Sequence, residues 1–289
     1  MGIAQKCSVS DLVNETNVII SLPEICFKLR RVLVEPLHTR KEVASIIQLD
    51  TALSARLLRI VNSAYFGLPV RINNISHALG IIGEHELNNL VFVTAIVKSL
   101  SSTSAGFDIK QFWRNSIFIA IIARNLAKRA GLANKEEYFL AGLLLNVGKF
   151  VLYAKEPELR ATIEDEIKTT GALDFEVERK LLVFDHCEVG AELATNWNFP
   201  EALIESIAGH HQLPDPAARN MTQEIMYCAS CLGDFLHKYR TIENIGDVTF
   251  ISDISHTLSL QISTEELLQL IQYSHEEHLL VYEMFCGNS

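Results

Sequence analysis

Asp50-Thr51-Ala52-Leu53-Ser54-Ala55-Arg56-Leu57-Leu58-Arg59-Ile60-Val61-Asn62-Ser63-Ala64-Tyr65-Phe66-Gly67-Leu68-Pro69 reads as a helix that stops on its own chemistry. The apolar side chains recur at three-four spacing, the period of one buried helix face. Asn62 and Ser63 then stand where the last carbonyls and nearby amides lose their helical partners, and their short polar side chains can bond those groups. Tyr65 and Phe66 can anchor the turn by burying ring area. Gly67 accepts the left-handed backbone that a helix end needs. Ile72, Ile75, Ala78, Ile82 and Leu87 carry the pattern into the next helices.

Outward from this stretch almost every segment shows helical spacing, and no run alternates like a strand. Helices are predicted near 23–35, 40–48, 51–64, 75–82, 84–100, 109–129, 135–154, 157–169, 173–183, 186–197, 200–211, 222–239, 248–258 and 264–285. Pro23 suits a first helical position, where its missing N–H would have no partner anyway. Thr39 with Glu42, Asp185 with Glu188 and Ser263 with Glu266 have capping-box spacing. Pro36, Gly83, Gly131 and Gly171 mark further stops. The small polar run Ser99–Gly106 is the strongest internal boundary, and Thr241–Asp247 a weaker one. The expected organisation is an all-α chain of two packed helical lobes, 1–105 and 106–240, with a C-terminal helical extension, 241–289.

The bulk composition narrows the functional classes. Of 289 residues, 48% are hydrophobic and 21% charged, which fits a well-buried globular chain rather than a disordered one. Residues 1–105 hold ten Lys/Arg against eight Asp/Glu, and the remainder fifteen against twenty-seven. An acidic second part disfavours a nucleic-acid binder, which presents a basic face. Lys28, Arg30, Arg31, Arg40, Lys41, Arg56 and Arg59 read as solvated faces of amphipathic helices. Six cysteines show no paired framework, which fits reduced thiols in a cytoplasm. Cys228 and Cys231 share a helix face but lack a second ligand pair or a thioredoxin-like context, and read as core residues. The apolar runs Leu90–Val97 and Leu140–Ala154 are too short or too interrupted to span a bilayer.

The Asn62-Ser63-Ala64-Tyr65-Phe66-Gly67 turn, with the Leu22-Pro23-Glu24 entry upstream, resembles the HDOD domain of bacterial signalling proteins over roughly residues 20–215. Trp113-Arg114-Asn115-Ser116, then Leu143-Leu144-Leu145-Asn146-Val147-Gly148-Lys149, His186, and His210-His211 follow the order of an HD-type phosphohydrolase. The resemblance implies that the second lobe is an HD-like bundle. Active HD relatives hold metal ions that polarise phosphate and activate water. Here the resemblance puts Asn115 at the first His, Asn146 and Val147 at the His-Asp pair, and Ser230 at the final Asp. Only His186, His210 and His211 keep ligand chemistry. Histidines bind zinc, copper or nickel, but they do not supply the negative charge that a bridged magnesium or manganese pair needs.

Asn115, Asn146, Lys149, His186, His210, His211 and Ser230 are therefore expected to line a vestigial cleft with no catalytic role, no metal and no cofactor. Lys149, which would hold phosphate in an active relative, reads as a helix-ending cation. His210 and His211 are adjacent, about 100° apart on a helix, so they are not expected to face one pocket together. The resemblance implies a non-catalytic regulatory or scaffolding module of signal transduction, cytoplasmic, with a signalling-protein partner or a small anionic ligand. The rivals are a metal-dependent phosphohydrolase or cyclic-dinucleotide phosphodiesterase, and a nucleic-acid-binding regulator.

Overall fold

A computed structural model describes residues 8–17, 23–63, 65–101, 108–155, 157–213, 215, 217, 220–239, 248–257 and 259–286. The expected boundaries at Ser99–Gly106 and Thr241–Asp247 fall almost wholly outside these residues. Sixteen helices form and no strand appears among the described residues: α1 (Val9–Asn17), α2 (Glu24–Leu33), α3 (Arg40–Gln48), α4 (Thr51–Val61), α5 (Ile75–Ile81), α6 (Glu84–Ser101), α7 (Ile109–Arg129), α8 (Lys135–Leu144), α9 (Val147–Lys155), α10 (Pro157–Thr170), α11 (Asp174–Leu182), α12 (His186–Asn196), α13 (Glu201–Gly209), α14 (Met221–Tyr239), α15 (Val248–Thr257) and α16 (Thr264–Cys286). Among the described residues no single helix is long and apolar enough to cross a membrane.

The chain divides into two compact units, one made of Met1–Ile19 and Ser104–His275, the other of Ile20–Thr103 and Glu276–Ser289. The units interleave along the sequence, whereas the three segments expected from composition are contiguous. Two features account for the difference. Helix α1, not foreseen, packs against α9 and α12 of the larger unit. Helix α16 runs without interruption from one unit into the other.

In the smaller unit α4 starts on Asp50, whose carboxylate accepts the Leu53 N–H at 2.9 Å. It ends three residues earlier than its apolar period suggests, because Asn62 takes over. The Asn62 amide donates to the carbonyls of Leu58 (2.7 Å) and Ile72 (2.8 Å), and its oxygen accepts the Ile72 N–H at 2.7 Å. One side chain thus closes the helix and ties it to the strand-like approach to α5. Gly67 adopts the expected left-handed backbone, φ 55°. Tyr65 and Phe66 are only half-buried, meeting edge to face at 5.1 Å. Three such bonds, each worth about 1 kcal/mol net, predict that Asn62→Ala lowers unfolding free energy by about 2–3 kcal/mol. Urea unfolding checks this, and a loss under ~0.5 kcal/mol would mean the turn is held by its rings instead.

The larger unit is built on α7, buried along most of its length and packed against α8 and α14. Gly142 of α8 sits against the Ala120 backbone of α7, an approach that no Cβ would permit. The expected single helix over 135–154 is interrupted at Leu145–Asn146, although Leu145 keeps helical dihedrals. The interruption directly precedes Gly148, where α12 comes closest to α9.

Candidate functional site

Three of the expected cleft residues converge in the larger unit. His186 opens α12 on an Asp185 cap, whose carboxylate accepts the N–H groups of Cys187 (2.9 Å) and Glu188 (3.0 Å). Arg179 holds the other Asp185 oxygen at 2.7 Å. His210 and His211 follow α13, which ends at Gly209. His210 keeps right-handed helical dihedrals as the cap of α13, yet both rings turn toward His186, against the expectation from their offset. His210 Nε2 lies 3.4 Å and His211 Nε2 3.1 Å from His186 Nε2. Cys187 Sγ stands 3.7 Å from His186 Nε2 and 3.9 Å from His210 Nε2. His186 and His210 are buried, and His211 is stacked on Phe175 at 4.7 Å.

The sequence did not announce the groups behind these rings. Glu178 of α11, fully buried, accepts both the His186 backbone N–H (2.8 Å) and its Nδ1–H (2.6 Å) on one oxygen. The Tyr153 hydroxyl donates to the other oxygen at 2.8 Å. His210 Nδ1 lies 2.7 Å from the Ile207 carbonyl and so donates to it. Asp234 of α14 approaches His211 Nδ1 at 3.9 Å. Glu178 lies one turn before Leu182, and Asp234 one turn after Ser230. Helical spacing offered these positions, but nothing local distinguishes them from solvated acids.

The charges order the protonation states. Burial opposes a charge on His186, but the Glu178 carboxylate, aided by Cys187, outweighs it and holds this imidazole well above its ordinary range. His210 is pushed down to about 3 by burial and by the His186 charge. His211 is depressed further by burial and by both neighbours. Burial raises Asp234 to about 6 despite Lys149. Lys149 is kept charged against burial by Asp174, Asp234 and Glu178, and its ammonium bonds Asp174 at 2.5 Å. Lys149, expected to end a helix, instead lies in the first turn of α9, where the Asp174 carboxylate neutralises it.

Among the described residues, Asn115, Asn146 and Ser230 make no hydrogen bond or ion pair with the histidines. Asn146 is buried with neither its amide nitrogen nor its oxygen hydrogen-bonded, and the Ser230 hydroxyl is likewise buried without a partner. Val147 is buried beside Gly190. A hydrolytic metal pair does not fit these residues. Asn146 carries no charge, Val147 has no lone pair, and the nearby carboxylates of Asp174 and Glu178 are engaged with Lys149 and His186. Cys228 and Cys231 behave as core thiols, the latter pushed up to about 12 by burial.

Comparison with known proteins gives the fold its relatives. A crystal structure of a "putative phosphohydrolase" from Shewanella amazonensis is 25% identical, covers 95% of this chain and 98% of its own, and superposes with a TM-score of 0.77. An HDOD domain protein of unknown function from Geobacter sulfurreducens shares 22% identity over 96% of this chain and 98% of its own, with a TM-score of 0.73. An uncharacterised protein of Treponema pallidum is 30% identical over 208 residues, 72% of this chain, which spans about 40% of that relative's length. The HDOD domain family matches residues 19–213, a span that holds both the Asn62–Gly67 turn and the histidine cluster. On that match, with a helical fold shared with the HDOD protein of Geobacter, this chain belongs to the HDOD domain family.

Proposed function

We propose that the protein is a non-catalytic regulatory or scaffolding module of bacterial signal transduction, cytoplasmic, and that it works through contact with a protein partner. The observation that carries this reading is the Asn146-Val147 pair, buried at the position where the HD resemblance expects a metal-binding His-Asp. A buried valine leaves no room for a bridging carboxylate and supplies no charge in its place. A relative of similar fold from Marinobacter aquaeolei, 19% identical with a TM-score of 0.69, is named a signal transduction protein on a tentative basis.

A cleft of about 820 Å³ beside the signature turn, lined by Leu58, Arg59, Asn62, Val70 and Arg71, offers a contact face. Its two guanidinium groups and exposed Val70 suit an acidic surface with apolar side chains. The histidine cleft suits an anionic small molecule less well, since Lys149 is paired and Asp174, Glu178 and Asp234 crowd the rings.

The Shewanella amazonensis relative's name points to the rival, hydrolysis. The chain incubated with manganese and a cyclic dinucleotide is expected to show no turnover above buffer. Metal-stoichiometric hydrolysis abolished by His186→Ala would overturn the reading. Affinity capture from the native cell, comparing the wild type with an Arg59→Glu/Arg71→Glu variant, is expected to lose its partner in the variant.

A further inference from the structure

We propose that His186, Cys187, His210 and His211 form a closed tetrahedral site for one borderline-soft divalent ion, zinc by preference. This inference is independent of the protein-contact reading, since the ion would serve the fold whichever partner is engaged.

The geometry is the first support. The four ligand atoms all lie within 4.8 Å of one another. Zinc bonds nitrogen at about 2.0–2.1 Å and sulfur at about 2.3 Å. In a tetrahedron those lengths place nitrogens roughly 3.3 Å apart, and nitrogen roughly 3.6 Å from sulfur. The separations from His186 Nε2 are 3.1 and 3.4 Å to the other nitrogens and 3.7 Å to Cys187 Sγ, with 3.9 Å from Cys187 Sγ to His210 Nε2.

The second support is the orientation of the rings. Glu178 takes the His186 Nδ1 proton, and the Ile207 carbonyl takes that of His210. Both Nε2 atoms are thereby left as the inward groups, and the inward nitrogen of His211 points at the same place. A single proton on His186 Nε2 can point at one neighbour at a time, whereas one divalent ion satisfies all four atoms together. A carboxylate behind a ligating histidine is the arrangement that fixes the ring and raises its donor strength, and Glu178 stands behind His186 in this way at 2.6 Å, with Asp234 on the Nδ1 side of His211 at the longer distance of 3.9 Å.

The third support is charge and chemistry. Asp174, Glu178 and Asp234 face one lysine, Lys149, around the cluster, and the surplus is negative. Three imidazoles and a thiolate select zinc, copper or nickel over magnesium or manganese. Four protein ligands leave no open position for water, so such an ion holds structure or reports metal supply and does not hydrolyse.

The test uses the untagged full chain, stripped with chelator and titrated with cobalt(II). The expected result is a one-to-one end point with intense visible bands of a tetrahedral ion and a near-ultraviolet thiolate band. Zinc should bleach both. Cys187→Ser should lose the thiolate band and bind cobalt more weakly. Overturning results are weak octahedral absorption without saturation, a thiolate band that survives Cys187→Ser, or a stoichiometry other than one. Should Cys187→Ser fail to fold, the wild-type cobalt spectrum decides alone, because a nitrogen-only or solvated ion lacks the thiolate band.

Discussion

Replacing Gly148 by alanine is expected to cost the protein more than about 4 kcal/mol, the range reserved for substitutions that disrupt a core outright. The reason is backbone against backbone. A Cβ at this position would press into the His186 carbonyl oxygen and lie 2.7 Å from the Gly190 nitrogen and 2.8 Å from the His186 carbonyl carbon. Flexible side chains can step aside from such a contact, but these atoms belong to the first turns of α12. Gly190 faces back across the same crossing, where a Cβ would lie 2.9 Å from the Ile207 side chain and 3.3 Å from the Gly148 nitrogen. Helices α9 and α12 would have to separate, and their separation would carry His186 and Cys187 away from His210 and His211. A soluble, cooperatively melting Gly148→Ala protein within a few degrees of the wild type would disprove this account. Gly80, in α5 and open to solvent, provides the control. Nothing lies within 4 Å of a Cβ there, so Gly80→Ala should raise stability by up to about 1 kcal/mol through lower chain entropy.

Glu178→Ala carries the second large effect, a loss of about 3–5 kcal/mol, as for breaking a buried charge pair from one side. One carboxylate serves the His186 N–H, the His186 ring and the Tyr153 hydroxyl. Removing it leaves all three buried without that acceptor. The effect has a pH signature in the metal-free chain. Burial works to raise Glu178, but His186 outweighs it and depresses this group, so its contribution is complete above the unfolded value of about 4.3 and fades as pH falls through the folded value. Against burial, Glu178 elevates His186, so its contribution is complete below about 6.5 and fades as pH rises through the folded value. The gap between wild type and Glu178→Ala should therefore be widest between about pH 4.3 and 6.5. Urea titrations across pH measure it. A gap that grows steadily up to pH 9 would show that His186 is not the charged partner.

Much of the fold was legible because helices announce themselves locally. Thr39 and Glu42 form the reciprocal cap that their spacing promised, as do Ser263 and Glu266. Gly67, Gly83, Gly131 and Gly171 all adopt positive φ. Helix α1 was overlooked although Ser8 and Asp11 carry the same kind of signal, each bonding the other's N–H. Two interruptions escaped the apolar period: the Asn62 side chain ends α4 through its own hydrogen bonds, and the Leu145–Asn146 break falls just before Gly148, whose backbone packs on α12.

The site was less legible, and for a physical reason. A ring's chemistry is decided by what stands behind it, and those partners come from other helices. The sequence offered His186, His210 and His211, but the rule for adjacent helical residues argued against their meeting. From just past the end of α13 both rings nevertheless reach His186 of α12. Cys187 was visible only as a neighbour of His186. Glu178, Asp174 and Asp234 look like ordinary surface acids until α11 and α14 bring them against the rings.

Helix α16 crosses from one compact unit into the other, and its last turn reaches the turn that marks the family. The Ser63 hydroxyl donates to the Met284 sulfur at 3.5 Å, and Val281 and Phe285 are buried nearby in sequence. Yet the segment recognised as HDOD stops at residue 213. The bounds of the family match and those of the compact unit thus differ along this polypeptide. Cutting it at the end of the family match would strip the smaller unit of a brace that lies some seventy residues downstream.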